Sequence, residues 1–178
     1  MLLESVALAM LLGLLSGGKV NNLTKINLRR IWLPLFAFML QFVLDFSGKQ
    51  GVFAGWLHSL LPVIHVASYL FLFWFVGTNW RLPGMKALAL GTACNFLVIA
   101  ANGGYMPVDP AQLGDKARLA LAAGLGTHGL LTPLSRFKLL ADIIYISLPL
   151  LGKQLFSIGD ALIDSGILIL VIKTMRLK

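Results

Sequence analysis

The chain has one cysteine, Cys94, set within an apolar run. A disulfide framework and a thiolate metal site are therefore excluded. Charge is also scarce: Asp, Glu, Lys and Arg make up 12% of the 178 residues, against about 25% in an average soluble domain. Acids are scarcer still, seven against fifteen Lys and Arg, for a net charge of +8. The sequence lacks a Gly-rich phosphate loop, a nucleophile elbow and a His/Cys cluster at metal-ligating spacing. No metal and no cofactor is expected. It also lacks an internal repeat, which weakens a transporter of the inverted-repeat kind.

Apolar residues fill the space instead. They make up 58% of the chain, and mean hydropathy is +0.85. A core of this size cannot bury that much apolar surface, so much of it is expected to face lipid. The fold class expected is all-α, an integral membrane helical bundle forming one transmembrane domain. Basic residues fall between apolar runs, where the positive-inside rule and anionic headgroups account for them; nucleic acid is not the expected partner.

Five spans are expected, at about 2–18, 31–46, 57–77, 85–101 and 158–175. The first lacks a basic leader, with Glu4 in its place, and reads as a retained span rather than a signal peptide. Lys19, Lys25, Arg29 and Arg30 form the densest basic stretch, which places 19–30 in the cytoplasm. The amino terminus is then outside, the carboxyl terminus cytoplasmic, and the protein multi-pass in the plasma membrane. A long outer loop, 102–157, precedes the last span. Within it, 111–123 has the pattern of a surface helix. The run 139–150 is too short and interrupted for a span, and reads as re-entrant or interfacial.

Ionisable residues in or beside spans are functional candidates by default. Asp142 and Asp160 both fall at the outer face in this topology. Two carboxyls sharing a proton can activate water, one as base and the other as acid. A structural reading stands beside that one. Ser157 and Asp160 have capping-box spacing, and an anion suits the positive end of a helix. Asp142 has Lys138 four residues before it and Arg136 six before, either of which would pair with it. Asn102, Gly103 and Gly104, with Met106 and Pro107 just after, read as a turn. His58 and His65 read as a packed or interfacial pair, and His128 as an exposed loop residue.

The segments Ala141-Asp142-Ile143 and Phe156-Ser157-Ile158-Gly159-Asp160-Ala161 resemble the carboxyl-terminal third of lipoprotein signal peptidase. That resemblance implies an aspartyl dyad formed by Asp142 and Asp160. Ser157 stands where the family motif has Asn, Gly159 where it has Ala, and the family's Gly-Asn-x-x-Asp-Arg motif has no clean equal. The run Asn102 to Val108, with Leu140-Ala141-Asp142 and Ser157-Ile158-Gly159-Asp160, is similar to a family of small bacterial membrane proteins known only as a domain of unknown function. That likeness covers most of the chain and implies no activity.

Three functions follow as expectations. The first is a non-catalytic membrane protein that binds membrane lipids or a membrane-protein partner, with Asn102 to Pro107, Ser157 and Gly159 shaping its outer face. The second is an intramembrane aspartyl peptidase-like hydrolase using Asp142 and Asp160. The third and weakest is ion or solute transport.

Overall fold

A computed structural model describes residues 2–49, 56–123, 126–148 and 152–177. The chain is mostly helical. The long helices are α1 (Leu2–Leu15), α2 (Trp32–Lys49), α3 (Trp56–Thr78), α4 (Met85–Ala101) and, at the end, α6 (Ile158–Met175). Their bounds lie close to the apolar runs of the sequence. Neighbouring contacts run α2 to α3, α3 to α4, α4 to α6 and α6 to α1, so α6 sits between α4 and α1.

Glycine sets the tightest of these contacts. Gly84, the N-cap of α4, and Gly91 within α4 face Gly166 and Gly159 on α6, and a Cβ at any of the four would run into the backbone opposite. Two pairs seven residues apart on antiparallel helices keep the same register along both. Close approach through small residues is how helices pack where lipid removes the usual hydrophobic drive. The remaining interior is apolar. Ala37, Tyr69, Leu72, Val98, Ile99 and Met106 pack in one cluster. Leu33, Phe75, Val76, Met85 and Leu170 form a second, and Ala9, Val171 and Met175 a third.

The outside of the bundle is apolar too. Leu15, Leu35, Phe42, Val63 and Leu70 are each more than 60% exposed, and they lie on three different helices. By length and composition, α3 over Ser59–Thr78 is long and apolar enough to cross a membrane; Glu4–Leu15, Trp32–Ser47 and Met85–Ala101 are apolar but shorter. α6 has 18 residues but carries Asp160, Asp164 and Lys173. Among the described residues, then, one helix meets the measure where five spans were expected.

The long loop departs most from expectation. It is not a plain interfacial segment. It holds a short helix, α5 (Asp115–Ala122), inside the stretch where a surface helix was expected, and four strands. β1 (Met106–Val108) pairs in parallel with β2 (His128–Leu130). β3 (Ile144–Leu148) pairs antiparallel with β4 (Gly152–Phe156). At the start of 139–150, Lys138–Leu140 is a 3₁₀ turn, and β3 takes Ile144–Leu148. Residues 149 and 150 lie outside the described residues. Ile144, Tyr145 and Ile146 are consecutive β-branched and aromatic residues, which favour a pleated strand over a helix.

Candidate functional site

The bundle has two polar ends, and the loop 102–157 covers one of them. At its centre is the start of α6. Ser157 is the N-cap, and its Oγ accepts from the Asp160 N–H at 3.0 Å. Asp160 Oδ2 accepts in return from the Ser157 N–H at 3.1 Å. This is the capping box that the spacing predicts. The structure adds a third member, Asn95 on α4. Its Nδ2 donates to Asp160 Oδ1 at 2.8 Å. Ser157 Oγ lies 2.9 Å from both Asn95 Oδ1 and Asp160 Oδ2, and its one proton serves either. Gly159 is required beside them, because a Cβ there would strike the Asn95 side chain and the Gly91 backbone.

Asp142 reaches the same end by a different route. Its N–H donates to Pro107 O at 2.9 Å, and its carbonyl accepts from the Asp109 N–H at 3.0 Å. These bonds form an isolated parallel bridge to Val108 on the edge of β1 opposite β2, since Val108 also pairs with Leu130. The Asp142 residue is only 6% exposed. His128 Nε2 lies 3.7 Å from its Oδ2. Its Oδ1 is buried and has no hydrogen-bond partner among the described residues. Burial pushes the Asp142 carboxyl up to about 7; His128 opposes that shift and the charge of Asp160 adds to it.

The expected pairing of Asp142 with Lys138 or Arg136 is corrected. The four-residue spacing to Lys138 favours contact on a helix, and the chain is extended from Ala141 onward. His128, read as an exposed loop residue, takes the place instead. Its side chain is 43% exposed and faces two carboxylates, with Nδ1 3.8 Å from Asp45 Oδ1. Thr127 links the same groups: its N–H donates to Asp45 Oδ1 at 3.3 Å, and its Oγ1 is 3.0 Å from His128 Nδ1. Gly126 carries a positive φ of 97° against Asp45, where a Cβ would meet the carboxylate. The end of α2 thus holds the loop that aims His128 at Asp142.

Asn102 to Pro107 form the frame of this end. Gly104 N–H donates to Ile99 O at 2.9 Å, closing α4 through two left-handed glycines, Gly103 and Gly104. A Cβ on Gly104 would also meet Pro62 of α3. The Gly104 carbonyl lies 2.7 Å from His65 Nδ1. That contact gives His65 a structural role; the His58 side chain lies outside the described residues. Asn102 ties the loop down, with Oδ1 accepting from the Arg136 N–H at 2.9 Å and Nδ2 donating to Arg136 O at 3.0 Å. Met106 is buried in the first apolar cluster, and Pro107 supplies the carbonyl that receives Asp142.

Asp142 and Asp160 are thus brought to one end, near enough for one charge to raise the other carboxyl. No hydrogen bond joins them among the described residues. Both Asp160 oxygens have hydrogen-bond partners in Asn95 and Ser157, while Asp142 Oδ1 has none among the described residues. No group of three or more His, Cys, Asp or Glu able to hold a metal occurs among the described residues. The arrangement can accept a hydrogen bond at Asp142 Oδ1.

These features define a class: a mostly helical bundle with one mixed α/β cap over a polar cluster. Residues 25–172 match a family described as "Family of unknown function (DUF5317)", and the chain belongs to that family. An uncharacterised protein of Thermotoga maritima is 30% identical over 178 residues, covering 100% of this chain and 94% of that one. No solved structure matches. The likeness to a family of unknown function read from the Asn102 and Asp160 motifs is thereby established.

Proposed function

We propose that this chain is a multi-pass integral membrane protein that binds a lipid or a membrane-protein partner at its capped end. α2 and α6, at 18 residues each, measure about 27 Å, close to the roughly 30 Å of a hydrocarbon core. Large leucines and phenylalanines lie exposed along α1, α2 and α3, as lipid-facing surface would require. In the membrane orientation proposed, the capped end is outside and the carboxyl terminus cytoplasmic.

The observation that carries the binding reading is Asp142 Oδ1. A buried acceptor without a donor costs about 1–3 kcal/mol, and such groups in native proteins call for an explanation. A hydroxyl or amine of a bound molecule would supply the missing donor. The test is intact-mass analysis of protein purified in mild detergent. Wild type should carry a bound lipid or co-purifying partner. Asp142→Asn keeps an acceptor of the same shape and should keep the bound molecule, whereas Asp142→Leu should lose it while staying folded. Retention by Asp142→Leu would refute the reading.

A second reading, an aspartyl peptidase-like hydrolase, draws on one observation. Asp142, buried and pushed up to about 7, lies at the same end as Asp160, and a carboxyl raised toward neutrality is suited to an acid role. It makes the opposite forecast for Asp142→Asn, which would abolish hydrolysis of reconstituted membrane substrates.

A further inference from the structure

The end of the bundle away from the cap carries Lys19, Lys25, Arg29, Arg30, Arg81, Lys86, Lys173 and Arg176, and none of the seven acids. No ion pair with a side-chain carboxylate joins these cations among the described residues.

Two arginines there are placed differently. Arg30, in a left-handed conformation with φ 57°, lays its guanidinium over the Trp74 ring, 4.8 Å from the centroid. Its face is thereby committed to a cation–π contact. The Arg29 backbone is held on both sides by buried Asn79. The Arg29 N–H donates to Asn79 Oδ1 at 2.9 Å, and Asn79 Nδ2 donates to Arg29 O at 2.8 Å. Asn79 is itself fixed to the end of α3 through Phe75 O at 2.8 Å. Arg29 and Arg81 then line one cleft of about 510 Å³, whose floor is Gly77, Thr78 and Asn79. Trp80 and Arg81 continue into a second cleft of about 610 Å³, which adds Lys86 and the apolar Ile169.

We infer that the cleft between Arg29 and Arg81 binds the phosphate of an anionic phospholipid, with Trp80 set at headgroup level beside it. Guanidinium forks match phosphate oxygens in pairs, and tryptophan favours the membrane–water boundary. The apolar wall at Ile169 suits the first carbons of an acyl chain. This site is separate from the Asp142 cluster and rests only on the membrane part of the reading above.

The test titrates phosphatidylglycerol, phosphatidylcholine or inorganic phosphate into full-length protein in detergent, with bound species read by intact-mass spectrometry. A basic residue near such a surface contributes about five-fold. The double variant Arg29→Gln with Arg81→Gln should therefore bind phosphatidylglycerol about thirty-fold more weakly than wild type. Lys25→Gln with Lys173→Gln makes the same change in net charge outside the cleft, and should keep affinity within about two-fold. Equal loss in both variants would mean a diffuse field and would overturn the site. So would equal binding of phosphatidylcholine, or displacement of phosphatidylglycerol by inorganic phosphate at matched concentration. Carbonate extraction separates the two readings. Release of wild type from membranes defeats the membrane reading, while retention without selective phosphatidylglycerol binding defeats only this site.

Discussion

The two ends of the bundle use buried asparagine in opposite ways. At the basic end, Asn79 closes a neutral circuit with Arg29 and Phe75, and Asn22 Nδ2 donates to Met175 O at 2.9 Å and Leu177 O at 2.6 Å. Chain turns are stapled there by full satisfaction of backbone groups. At the capped end, Asn95 donates instead to a charged side chain, Asp160, and at the same end Asp142 keeps an acceptor with no donor among the described residues. The first arrangement stabilises a fold; the second holds back some stability at a place where a ligand could restore it. All seven acids fall on the capped side and eight described cations on the other, so the contrast in charge parallels the contrast in satisfaction.

The largest expected effect breaks this contrast by pH. The Asp142 carboxyl is raised from 3.8 to about 7 by burial. A raised carboxyl favours the folded state most where it is protonated. Its contribution is complete below about pH 4 and is lost as pH rises through about 7, a fall of up to about 4 kcal/mol. Thermal unfolding of Asp142→Asn should lack that slope between pH 4 and 7. Arg81→Gln, at the basic end, should leave it in place. An unchanged slope in Asp142→Asn would mean that the carboxyl is not the source.

The second effect is steric. Gly91→Leu drives a side chain into the Gly159 and Ile163 backbone, and overpacking of this kind costs about 3 kcal/mol or more. Gly77→Ala near the basic end meets nothing within 4 Å and removes a helix-interior glycine, so it should be neutral or stabilising by up to about 1 kcal/mol. Unfolding midpoints in detergent compare the two directly.

The third compares the asparagines. Asn95→Ala removes a hydrogen bond to a charged group and should cost about 2 kcal/mol. Asn79→Ala removes bonds to neutral backbone groups that water can partly reach, and about 1 kcal/mol is expected. Equal losses would erase the distinction drawn between the ends.

What could be read from the chain divides along the same physical line. The long helices were legible because each is a continuous apolar run ended by glycine or a basic turn, and Ser157 to Asp160 was legible because a capping box is local. Asn95 was visible only as a polar residue within a span; its partnership with Asp160 spans 65 residues, and no local spacing encodes it. His128 was dismissed for the same reason, since its place beside Asp142 depends on the parallel pairing of β1 with β2. Strands of three residues carry too little periodicity to register, and β3 was hidden inside an apolar run that also suits an interfacial segment.

The smallest effect concerns the clamp that makes those distant contacts possible. Asn102 holds both the N–H and the carbonyl of Arg136 while its Nδ2 also reaches Val98 O at 2.7 Å. These bonds anchor the segment that carries Asp142 to the end of α4. The Arg136 contacts are exposed to solvent, so their loss is offset by water and should cost about 1 kcal/mol or less. Asn102→Ala should therefore leave the unfolding midpoint nearly unchanged. Its signature is local: amide exchange at Arg136 and through Ala141 and Asp142 should quicken, while exchange at Asn79 and Leu82 stays as in wild type. If exchange quickens equally at both ends, the clamp is part of the general fold and the capped end has no independent frame. If only the Asp142 segment loosens, the site is held by a separable hinge, and the raised Asp142 carboxyl should fall toward its ordinary value as water enters.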